Sequence, residues 1–121
     1  MAGVSFFEHK GKKILYEDYS ESNPAELAVL LAEAKKIITG QPKNSVLALV
    51  NISRTKYDRA SVAAMKEFIK DNTPYIKASA IIGMEGITEV VFKGVVAFTG
   101  RKNLVVFNDA EKAKDYLAAL E

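Results

Sequence analysis

The chain has 121 residues, 49% of them hydrophobic and 26% charged, a balance that suits one domain with one core and excludes a disordered segment. Its net charge of +2 is small, and each lysine cluster has acidic neighbours, so no basic face for nucleic acid is expected. The absence of cysteine excludes disulfides, thiolate catalysis and zinc–thiolate sites, and it fits an expected cytoplasmic location.

The first residues, MAGVSFFEHKGKK, lack the layout of a signal peptide, and no repeat or Pro/Gly-rich linker follows. Residues 1–121 are therefore read as a single domain. Residues 4–9 and 13–19 carry Phe6, Phe7, Ile14, Leu15, Tyr16 and Tyr19, which favour strands. The Lys10-Gly11-Lys12 connection makes them a hairpin. A helix starts at Asn23, with Pro24 at its first position and Glu26 three residues after the cap. Leu27, Leu30, Leu31, Ala34, Ile37 and Ile38 share one face of it, and Gly40 and Pro42 end it.

Residues 45–50, SVLALV, form a continuous apolar run and read as a buried parallel strand. A polar loop, 51–57, follows. Asp58 or Ser61 then caps a second helix, with Val62, Met65, Phe68 and Ile69 inward, stopped by Asn72-Thr73-Pro74. Residues 78–82 are a further buried strand, and Gly83-Met84-Glu85-Gly86 is a turn. Residues 86–99, GITEVVFKGVVAFT, read as a helix too short to span a bilayer and unusually apolar for a surface helix. Ile87, Val90, Val91, Val95 and Phe98 form its expected core stripe, with Gly94 among them. Phe92 and Val96 fall on the other side, near Glu89 and Lys93. Residues 104–107 are a last strand. Asn108 or Asp109 caps a final helix with Ala110, Ala113, Leu117 and Leu120 inward.

The expected fold is thus α/β: an N-terminal hairpin followed by strand–helix repeats. It has a mainly parallel mixed sheet of about five strands with four helices, the first strand being the antiparallel member.

At this point the chain resembles the STAS domain, and specifically its SpoIIAA-like branch, over nearly its whole length. The resemblance rests on GKKILYEDYS, SVLALVNIS, RASVAAMKEFIKDN, PYIKASAIIGMEG and VVFNDAEKAKDYL. It implies a small module that docks or switches rather than catalyses. The relation of some members to CRAL-TRIO-type lipid-transfer domains implies an apolar ligand or a membrane surface as the alternative. Classical anti-sigma-factor antagonists carry a phosphorylatable serine in an Asp-Ser-Ser-Gly-Leu motif. The matching stretch here is Asp58-Arg59-Ala60-Ser61-Val62, which puts Ala60 at the acceptor position. No phospho-switch is expected there, and Ser61 reads as a helix cap.

Open α/β sheets bind ligands beyond the carboxyl ends of their strands. A polar mouth is therefore expected from Ser53, Arg54, Thr55, Lys56 and Tyr57 on one loop and Gly83 and Met84 on the next, with Ile87 and Val91 of the apolar helix as ligand contacts. The loop could hold an anion at the start of the following helix, but it matches no phosphate-binding motif, and a solvated loop is the simpler reading. His9, the one histidine, reads as a solvent-facing residue near a turn, and no metal-ligand spacing or cofactor motif occurs. Phe92 and Val96 are the expected interface residues, for a protein partner or a homodimer. The apolar helix is the expected lid or anchor if the ligand is apolar.

Overall fold

The computed structural model describes residues 3–84, Val90, Lys93, Gly94, Ala97 and residues 103–120. Strand β1 (Gly3–His9) runs antiparallel to β2 (Lys12–Asp18). Lys10 and Gly11 between them both have positive φ, 50° and 81°, as a type I′ hairpin connection requires. Helix α1 (Pro24–Thr39) opens with a reciprocal cap. The Asn23 side chain accepts from Glu26 N–H at 2.8 Å, and the Glu26 carboxylate accepts from Asn23 N–H at 3.0 Å. Strand β3 (Val46–Asn51) follows, then α2 (Arg59–Asn72), capped by Asp58. A 3-10 turn, Thr73–Tyr75, leads into β4 (Ile76–Ile82). Strand β5 (Leu104–Val106) and α3 (Ala110–Ala119), capped by Asp109, complete the described elements.

The five strands form one sheet in the order β1-β2-β3-β4-β5, with every pairing after the first parallel. Side chains alternate across it. Val46, Ala48 and Val50 face Leu27, Leu31 and Ile38 of α1 and Met65 and Ile69 of α2. Leu47 and Leu49 face Ala113 and Leu117 of α3. The sheet is thus covered on both sides, and the uninterrupted apolar run of β3 has a core on each face to fill. A bulge adjusts β4: Val46 pairs with Ile76 but Leu47 pairs with Ala78, leaving Lys77 as an extra residue. Ile76 can then share the α1/α2 face with Ile81 despite their odd spacing.

Three helices are described where four are expected. The fourth, over 86–99, lies mostly outside the described residues, and Ile87, Val91, Phe92 and Val96 with it. Its described positions correct the expected phase. Val90, 73% exposed, and Gly94 fall on the expected core stripe, yet both are exposed, with Lys93 and Ala97, on one helical side. The ammonium of Lys93 needs water, and Val90 and Ala97 lie three before and four after it, on the same face. Ala110 is also exposed rather than inward. It is the first helical residue after its cap, and the buried stripe begins one turn later at Ala113.

Candidate functional site

The carboxyl ends of β3 and β4 bring two of the expected loops together. Asn51 ends β3 and folds its carboxamide back. Its Oδ1 accepts from the Ser53 N–H (3.0 Å) and hydroxyl (2.8 Å), while its Nδ2 donates to the Tyr16 hydroxyl (3.1 Å). Ile52 N–H donates to Ile82 O at 3.0 Å, tying the loop to β4. Ser53, Gly83 and Met84 then line one solvent-open concavity of ≈ 510 Å³ with Phe107 and Asn108.

The rest of the expected set points elsewhere. Arg54, at φ 53°, reaches Glu21 across the surface at 3.4 Å. The Thr55 hydroxyl is buried and donates to Tyr19 O at 2.8 Å. Tyr57 turns under the helices. The Ser53 and Thr55 hydroxyls and the Arg54 guanidinium that would grip an anion are thus engaged by neighbouring groups of the protein.

Between the sheet and helices α1 and α2 lies a narrow cavity of ≈ 40 Å³, walled largely by apolar side chains such as Leu31, Ile38, Met65 and Ile69. Polar groups interrupt the walls. Glu17 is buried and accepts from the Tyr19 hydroxyl at 2.7 Å. Burial, and next the neighbouring Glu17 carboxylate, hold the Tyr19 hydroxyl well above the usual tyrosine range. Burial pushes the Tyr57 hydroxyl up to about 12, with Thr55 pulling weakly the other way. The Tyr57 hydroxyl makes no hydrogen bond among the described residues. Asn72, 1% exposed, has both carboxamide atoms unpaired. A buried polar group left in that state costs roughly 1–3 kcal/mol.

A second concavity is open to solvent. The N-terminal ends of α1 and α2 lie side by side, and Ala25, Ala28, Ala60 and Ala64 leave between them a groove of ≈ 670 Å³ whose floor includes Leu27 and Leu31. Asp58 caps α2 at its edge, accepting from Ser61 N–H (2.7 Å) and the Ser61 hydroxyl (2.8 Å). Those bonds, the backbone one first, hold the Asp58 carboxyl below its usual range. Ser61 is buried three residues after the cap and donates to Asp58, so Asp58, not Ser61, is the helix cap. Val29 is exposed on the neighbouring face of α1.

His9 does not face solvent alone. Its side chain is 19% exposed and its Nε2 lies 2.8 Å from Asp115 on α3, beside Lys10 Nζ at 2.9 Å. Lys10 first, then His9, holds the Asp115 carboxyl below the usual carboxylate range. Lys12 Nζ donates to Leu120 O at 2.6 Å, so the hairpin is clasped to α3 by its charged turn. Among the described residues no three of His, Cys, Asp and Glu gather as a metal site, and no helix is long and apolar enough to cross a membrane.

Among the buried polar residues that escaped the sequence reading, Glu17 and Asn72 had a signal in their spacing. Glu17 has the same strand parity as Leu15 and Tyr19, so alternation aims it inward. Asn72 follows Met65 and Ile69 at helical spacing, on the buried stripe of α2.

No protein-family model and no curated protein matches the sequence. A solved structure does. It is an uncharacterized protein of the DUF3478 family from Shewanella loihica PV-4, described as having a SpoIIAA-like fold. It matches with a TM-score of 0.74 over 97% of this chain and 95% of its own, at 16% identity. The chain has the SpoIIAA-like α/β fold.

Proposed function

We propose that this protein is a non-enzymatic regulatory or interaction module that receives a protein partner in the groove between the N-terminal ends of α1 and α2. The groove carries the reading: it is far roomier than the interior cavity, and its alanine rims and leucine floor offer apolar surface to a partner. Exposed Val29 extends that surface along α1. Ser53 and Thr55 donate to amide and carbonyl oxygens, which are not bases that could activate them, and this supports a non-catalytic role. Capture from the source cells with wild type and with Ala28→Arg tests it. A partner held by the wild type should be lost by the variant while the variant stays folded. Equal capture by both removes the groove from the account.

A second reading, a carrier or sensor of an apolar ligand, draws on the apolar walls of the interior cavity. At ≈ 40 Å³ that cavity holds about three water-sized groups, so an acyl chain enters only if α1 or α2 moves. Native mass spectrometry of the purified protein separates the readings, because a carrier retains lipid. A homodimer is a separate proposal, and with the exposed side of the apolar helix at Val90, Lys93, Gly94 and Ala97 it no longer rests on positions 92 and 96. Sedimentation of the wild type tests it, and a monomer excludes it.

A further inference from the structure

We propose that the carboxamide of Asn72 is a buried binding site for a small neutral group that both donates and accepts hydrogen bonds. Two sources supply that chemistry: solvent water, and the hydroxyl or carboxamide end of a small organic molecule.

Asn72 offers two N–H donors and a carbonyl acceptor. Both its nitrogen and its oxygen lack partners, and the residue is 1% exposed. It lines the cavity beneath α1 and α2, whose ≈ 40 Å³ compares with the roughly 10–15 Å³ that one water needs, so there is room for about three such groups. The occupant is small by that volume. It is neutral because it must both accept from Nδ2 and donate to Oδ1 of one carboxamide, and an anion meets no lysine, arginine or histidine among the described lining residues. Tyr57 is not the other half of this site. It precedes α2 and Asn72 ends it, so the two stand at opposite ends of a 14-residue helix about 21 Å long. The cavity walls include apolar Ile69 and Ile76 and the buried Ser79, so a small group bound at Asn72 has both apolar and polar neighbours.

The test is nuclear magnetic resonance of the whole chain with the Asn72 side-chain amide assigned. In plain buffer, cross-peaks from long-lived water to that amide and to the Ile69 and Ile76 methyls assign the site to water. Titration with acetamide or ethanol is the second arm. A saturable shift of the Asn72 amide with loss of the water cross-peaks assigns it to an organic group, and water cross-peaks that persist through the titration assign it to water. Asn72→Leu should abolish the methyl cross-peaks, and Asn72→Ala provides the same comparison if the leucine variant does not fold. The proposal is overturned if the wild type shows neither long-lived water nor a saturable shift, or if the methyl cross-peaks survive loss of the carboxamide.

Discussion

Gly83 sits against the backbone of Ser53. A Cβ at position 83 would fall 2.6 Å from Ser53 N and 2.8 Å from its Cα, and Gly83 has a φ of +82°. The two loops at the carboxyl ends of β3 and β4 touch because that position lacks a side chain. Gly83→Ala adds the strain of a left-handed residue to a backbone overlap, so it should cost about 2–4 kcal/mol. Urea unfolding measures this. A loss near zero would mean that the loops separate without penalty.

Alkaline pH should destabilise the fold through its buried tyrosines. The folded Tyr57 hydroxyl ionises at about 12 against an ordinary 10.0, and that of Tyr19 is raised as well. A raised folded value means that the folded state keeps its proton longer. The stabilisation is complete below pH 10 and is lost as pH rises through about 12. The urea midpoint should fall across that window, less steeply in Tyr57→Phe. Identical profiles for the two proteins contradict the buried placement of this hydroxyl.

The hairpin clasp has the opposite pH dependence. Asp115 is held below its ordinary 3.8, so its contribution is present above that value and is lost as pH falls through the lower folded value. The pair is exposed and the effect is small and screened by salt. Asp115→Asn should remove part of the acid sensitivity at low ionic strength and change little in high salt. An acid limb steeper in the variant than in wild type would contradict the pairing with Lys10 and His9.

Much of this architecture was legible locally. Asn23, Pro24 and Glu26 announce α1 within four residues, and the reciprocal cap forms as written. The SVLALV run announces a strand buried on both faces. What escaped depends on distant partners. His9 and Asp115 are 106 positions apart, so no window of sequence joins them. Asn51 was read as a plain loop residue, yet its side chain organises the corner by bonding Ser53 and Tyr16. The phase of the apolar helix escaped for another reason. With valines on most sides of it, hydrophobic periodicity barely distinguishes one face from another, and Lys93 decides which side meets water.

The claim that the α1/α2 groove receives a partner is tested most directly by photo-crosslinking in the source cells. A benzophenone side chain replaces Ala64 in the groove or, as a control, exposed Lys43 beyond the far end of α1. The account predicts a discrete protein adduct from position 64, none from position 43, and loss of the adduct when Ala28→Arg is added. An adduct at position 64 that survives Ala28→Arg, or one formed only at position 43, would contradict it.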